Sequence, residues 1–200
     1  MPISQEWFAS GLTAQEFLDA IELNKEKFLE NIAANSFSAE DLAFFAAHPI
    51  SVAALAEDWC TDVVHFLPVV IKLAEQSPDV TLKIFKRDEN LDLMDQYLNK
   101  GEFRSVPTFI VYDRDWNELG FYSERPEGAT KLMATESTRF ARENPQLEGV
   151  TRSYDNMPEE TRLAVRANSS RYRWDNMLEW NRIFMDDFKA LAAGGVVASR

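Results

Sequence analysis

The chain has 200 residues, 46% of them apolar and 12% aromatic, enough to bury one sizeable core with accessory helices and too apolar for a disordered segment. Its 33 acidic against 21 basic side chains give a formal charge of −12, which argues against nucleic acid or an anionic membrane surface as the main partner. No apolar run approaches the roughly 18 residues that cross a bilayer, and the opening Met1-Pro2-Ile3-Ser4-Gln5-Glu6 lacks the basic and apolar parts of a secretory signal, so a cytoplasmic location is expected.

In chain order, Thr13 with Glu16 three residues later forms a capping box ahead of Phe17, Leu18, Ile21, Phe28, Leu29 and Ile32, which predicts a helix over 13–34. Ser38 with Asp41 starts a second helix, closed by Pro49. Residues 50–56 are short and almost wholly apolar, as in a strand covered on both faces. A helix over 61–76, a strand over 80–85, a helix over 91–100 and a strand over 109–112 follow. The turn at 113–117 then leads to a strand over 118–122 that can pair antiparallel with its predecessor. Pro126 opens a helix reaching about 143, where Asn144-Pro145 ends it. From Pro158 a last helical region carries the stripe Leu163, Ala167, Ser170, Trp174, Met177, Asn181, Phe184, Phe188 and Leu191, with Ser169-Ser170 as the expected break, before an irregular tail at 194–200.

A single cysteine excludes an internal disulfide and any all-cysteine metal site, and two histidines, His48 and His65, are too few for a zinc cluster, so neither a metal nor a cofactor is expected. The segment Trp59-Cys60-Thr61-Asp62-Val63 lies between a strand and a helix. That places Cys60 at a helix N-terminus, where unpaired N–H groups and the helix dipole favour an anion and so the nucleophilic thiolate. Asp62 reads as a helix-favouring surface carboxylate that also opposes a neighbouring thiolate; Glu57 and Asp58 add screened negative charge. His65, five residues on and about 140° around the helix, is poorly placed to pair with Cys60.

The apolar strand, Trp59-Cys60, Pro68 eight residues after the cysteine, and Ser105-Val106-Pro107-Thr108-Phe109 together resemble thioredoxin over residues 50–143. The resemblance implies an α/β fold, a thioredoxin-like mixed sheet flanked by helices. Extra N- and C-terminal helices, at 1–48 and 151–193, elaborate it into a single 200-residue domain. It also implies a cis bond before Pro107, a catalytic Cys60, and a substrate groove formed by Trp59, Thr61, Val106, Pro107 and Thr108. The segments Glu57-Asp58-Trp59-Cys60, 87–98 and Asn117-Glu118-Leu119-Gly120 are similar to a little-characterised bacterial branch of that superfamily.

Two departures shape the functional expectation. Val63 stands where the family has its resolving cysteine, and Ala54 stands where it has a buried aspartate that relays protons. A dithiol cycle is thereby closed to this chain, and a monothiol redox activity of Cys60, resolved by a low-molecular-weight thiol or a protein thiol, is the first reading. The alternative is a non-catalytic binding module for protein or peptide partners in the groove beside Pro107. A third reading gives the terminal helices a structural role, with the C-terminal stripe forming a homodimer interface. The cluster Trp174, Trp180, Phe184 and Phe188 reads as core.

Overall fold

A computed structural model describes residues 3–195; the tail read as irregular lies outside the described residues from position 196 onward. The sheet has four strands, β1 (Ile50–Ala56), β2 (Val80–Lys86), β3 (Thr108–Tyr112) and β4 (Glu118–Ser123), in the order β2-β1-β3-β4. β1 runs parallel to β2 and antiparallel to β3, and β3 runs antiparallel to β4. The fold is therefore the expected mixed α/β sheet with added helices, each strand within one residue of its predicted ends.

β1 is central, and Val52, Ala53, Ala54 and Leu55 are fully buried, which is why its sequence does not alternate. Helix α5 (Thr61–Gln76) buries most of its length, including Val63, Phe66, Leu67, Val69 and Val70. Phe66 of α5, Phe109 of β3 and Tyr122 of β4 meet Phe184 at ring-centroid distances of 5.3, 5.5 and 5.2 Å. Ala54 pairs with Phe109 across the ladder, so it lies on this same aromatic face. Against the other face, α1 (Gln5–Ala9) stacks Trp7 on Phe85 at 4.0 Å, and the Trp116 indole donates to the Ile3 carbonyl at 2.8 Å. Leu12 exchanges two backbone hydrogen bonds with Ile84, of 2.9 and 2.8 Å, and so covers part of the edge of β2. Gly11 is needed there because a Cβ would meet the Phe85 ring at 2.4 Å.

Three helical expectations need correction. The helix predicted over 13–34 is two, α2 (Ala14–Ala20) and α3 (Lys25–Ala34), because the Glu22 and Leu23 N–H groups donate to the Asp58 carboxylate at 3.0 and 2.9 Å. Asn24, with φ of 57°, completes the break and donates its side-chain amide to the Asp58 carbonyl at 2.8 Å. The helix predicted over 91–100 is a single turn, α6 (Leu91–Met94); the chain then turns through Lys100 and Gly101, both at positive φ. The break expected at Ser169-Ser170 falls at Asn176, whose backbone and side-chain N–H groups both donate to the Tyr172 carbonyl. Helix α4 (Ala39–Ala47) begins at Ser38 as expected, and the Ser38 and Asp41 side chains form a capping box there.

By compactness the chain divides into two units, residues up to Arg125 together with those from Phe184 onward, and Pro126–Ile183. The second unit contains α7 (Glu127–Glu143), α8 (Glu159–Asp175) and the start of α9 (Met177–Ala192). Here the expected stripe fails over its first half: Leu163, Ala167 and Ser170 are exposed. The buried positions of α8 are polar. Asn168 donates to Glu136 of α7 at 2.9 Å and Thr161 to the Glu148 carbonyl at 2.8 Å. The Arg139 hydrogen bonds hold the Glu136 carboxyl below its ordinary range against the opposing effect of burial. Farther on, Arg173 covers the buried Trp180 ring at 5.4 Å.

In the first unit, the Lys189 ammonium of α9 pairs with Asp41 of α4. Burial pushes the Asp41 carboxyl up, but hydrogen bonds from Lys189 and Ser38 prevail and bring it to about 2 from 3.8. A depressed folded-state value means stability that is complete above pH 3.8 and lost as pH falls through 2. Asp41→Asn should therefore cost about 1 kcal/mol at neutral pH, after allowance for solvent screening. Denaturant titrations at pH 7 and pH 2 should show the variant and native curves converging in acid; a deficit independent of pH would contradict the assignment.

Candidate functional site

The candidate site is built where β1 ends. After Ala56 the chain turns, with the Cys60 N–H donating to the Glu57 carbonyl at 3.3 Å, and Cys60 becomes the N-cap of α5. Its backbone stays extended at φ −84° and ψ 122°, and its carbonyl accepts the first helical bond, from Val64 at 3.0 Å. Its side chain makes no capping hydrogen bond to the first turn of this 16-residue helix, and the residue is partly exposed.

The facing loop comes from the start of β3. The Val106–Pro107 peptide is cis, and the Cys60 thiol donates to the Val106 carbonyl at 3.3 Å. Four successive carbonyls of this loop accept hydrogen bonds from within the chain. Arg104 O takes one from Arg87 at 2.9 Å, Ser105 O from the Thr108 hydroxyl at 2.9 Å, Val106 O from Cys60, and Pro107 O from the Glu124 N–H at 2.8 Å. The loop is thus fixed at every step beside the sulfur.

Of the residues expected to meet a substrate, Trp59 is 49% exposed and Thr61 is exposed, whereas Val106, Pro107 and Thr108 are buried. The Thr108 hydroxyl also lies 3.0 Å from that of Ser123, so Thr108 ties the loop to β4 and does not face solvent. Val63, where a second sulfur would stand, is fully buried, as is His65, whose ring stacks on Phe66 at 4.2 Å. Ala54 leaves no ionisable group at its position on the aromatic face.

Sequence reasoning missed three charged contributors. Asp62, read as a surface residue, is buried at 8% exposure and pairs with Arg125 at 3.0 Å. Arg87 lies with its guanidinium carbon 5.2 Å from the Trp59 ring centroid, holding the exposed indole beside the cysteine. Asp58 fastens the break between α2 and α3 to the cysteine turn. None of these partners is adjacent in sequence, so no local signal announces them. Glu57, read as a screened charge, is buried; burial pushes its carboxyl above the ordinary value even though it accepts the Asp88 N–H at 2.8 Å. Among the described residues no group of three or more histidine, cysteine, aspartate or glutamate side chains is arranged to hold a metal ion, and no helix is long and apolar enough to cross a membrane.

A groove of about 730 Å³ lies along residues 3–7 and 88–96, lined by Ile3, Trp7, Asp88, Asp92 and Leu93 among others. It includes neither Cys60 nor the loop at Pro107.

A mixed four-stranded sheet with a cysteine capping the helix after its central strand, opposite a cis-proline loop, defines the thioredoxin class of fold. The family model described as thioredoxin matches residues 11–142, well over half the chain, and the chain belongs to that family. The match begins in the N-terminal helical region, ahead of the stretch on which the sequence resemblance rested. Solved structures that match include a protein of unknown function from Pseudomonas aeruginosa, 18% identical with a TM-score of 0.64, over 97% of this chain and 99% of its own. An HIV epitope scaffold is 16% identical with a TM-score of 0.62, over 96% of this chain and 98% of its own. At these identities the likeness carries the fold alone, terminal helices included. No curated protein sequence matches.

Proposed function

We propose that this thioredoxin-family chain is a monothiol exchange protein in which Cys60 is the nucleophile. The Cys60 thiolate attacks one sulfur of a mixed disulfide between a protein thiol and a small thiol. The protein thiolate leaves, and Cys60 is left in a disulfide with the small thiol. A second small thiol, as its thiolate, attacks that disulfide, releases the small-molecule disulfide and returns Cys60 as thiolate. One free small thiol is consumed per turnover, the other half of the released disulfide coming from the substrate, and the chain needs only one sulfur.

The observation that carries this reading is the placement of Cys60: a partly exposed residue at the N-terminus of a buried 16-residue helix, with its sulfur 3.3 Å from the Val106 carbonyl in the cis-proline loop. Trp59, with Arg87 over its ring, and Thr61 would meet the substrate, while Val106, Pro107 and Thr108 would shape the wall behind the sulfur. A reducing, cytoplasmic compartment would supply the small thiol. A binding module that pairs a peptide backbone with Val106 is the less supported reading, because the Val106 carbonyl is engaged by Cys60 and its neighbours at 104, 105 and 107 have partners of their own.

The test is release of a thiol from a peptide carrying a mixed disulfide with a small thiol, with excess small thiol present. The native chain should accelerate release over the small thiol alone, and Cys60→Ser should remove the acceleration entirely. Equal rates with and without protein would overturn the proposal, as would full activity in Cys60→Ser.

A further inference from the structure

We infer that Arg125 is a positioning residue for Cys60: by neutralising the buried Asp62 carboxylate in the first turn of α5, it sets how readily the Cys60 sulfur becomes an anion. The inference rests on the reading of Cys60 as nucleophile and names the group that controls it.

Asp62 follows Cys60 by two residues, within about 10 Å on any helical first turn. An exposed aspartate there would be screened, but this one is buried, where a negative charge acts at an effective dielectric near 20. Unopposed, it would lower the thiolate fraction of Cys60 roughly tenfold. Arg125 meets it with an Nη2 to Oδ2 contact of 3.0 Å.

The arginine comes from a segment that also holds the facing loop. Its neighbour Glu124, at φ 63°, donates its N–H to the Pro107 carbonyl at 2.8 Å, and Ser123 contacts the Thr108 hydroxyl at 3.0 Å. The chain that grips the loop accepting the thiol proton thus also supplies the cation for the helix carboxylate. Other titratable and charged groups near the cysteine turn include Glu57 and Asp58 before it, buried His65 on α5, Arg87 and Asp88 after β2, and Glu124 beside Arg125. All of them are unchanged in the variants below.

The experiment is the rate of Cys60 alkylation by iodoacetamide against pH, in the full chain and in Arg125→Gln, Arg125→Lys, Asp62→Asn and the Gln/Asn double variant. Arg125→Gln should react about tenfold more slowly at pH 7, with its profile displaced to higher pH. Asp62→Asn should react faster, with its profile displaced to lower pH. Arg125→Lys should stay near the native rate, and the double variant should fall between the two single ones. Opposite signs are the discriminating feature, since a merely structural ion pair is broken equally from either side and would move both variants the same way. Shifts in one direction, or no shift, overturn the inference. Should Arg125→Gln not fold by circular dichroism, Asp62→Asn against Arg125→Lys still decides, and an Asp62→Asn rate at or below the native one overturns it. Failure of the native chain to exchange a mixed disulfide would instead remove the nucleophile reading, while the order of alkylation rates would still judge Arg125.

Discussion

Phe184→Ala should destabilise the chain by about 3–5 kcal/mol. Phe184 is fully buried and meets Phe66, Phe109, Tyr122 and Phe188 at centroid distances between 5.2 and 5.5 Å, so one ring contacts α5, β3, β4 and its own helix. Removing it leaves a cavity ringed by side chains anchored on separate elements, which cannot collapse together. Leu163→Ala is the internal control: at 60% exposure, it should change stability by no more than about 0.5 kcal/mol. Guanidinium denaturation of both variants checks the pair. A Phe184→Ala loss near that of Leu163→Ala would mean that the end of α9 is an appendage to the sheet.

The second large effect is a gain. Val63→Cys should give the chain dithiol chemistry, with reduction of a protein disulfide in the presence of a dithiol reductant rising at least about tenfold above the native rate. Residues 60 and 63 are the N-cap and third residue of one helix, which sets their Cα atoms about 5–6 Å apart, within the range a disulfide spans. Val63 is fully buried and only slightly larger than cysteine, so the substitution costs about 1 kcal/mol. Under mild oxidation the variant should lose both titratable thiols as Cys60 and the new sulfur join. A folded variant that keeps two thiols after oxidation would show that the Cys60 sulfur cannot turn toward that position.

The sheet was legible because its strands advertise themselves locally: residues 50–56 are an unbroken apolar run between turn signals, and Pro107 marks the start of β3. The candidate cysteine was legible for the same reason, sitting at a strand-to-helix boundary. What stayed hidden depends on partners far along the chain. The break after α2 exists because two N–H groups choose Asp58, 35 and 36 residues away, over their own helical carbonyls. Asp62 looked like a surface residue because Arg125, 63 residues on, is what permits its burial. The inward face of α8 was misread because Asn168 and Thr161 are buried through hydrogen bonds, which an apolar periodicity does not register.

The Asp58 fastening has a consequence for how the cysteine moves. Three donors from residues 22–24 converge on the residue two places ahead of Cys60, so the cysteine turn cannot swing outward without releasing the amides of the N-terminal helical hairpin. In amide-exchange terms, residues 22–23 and the turn at 57–60 should open together, and the first helices latch the turn that carries Cys60. A boundary drawn at residue 50 to excise a minimal domain would keep the cysteine and discard the part that restrains it.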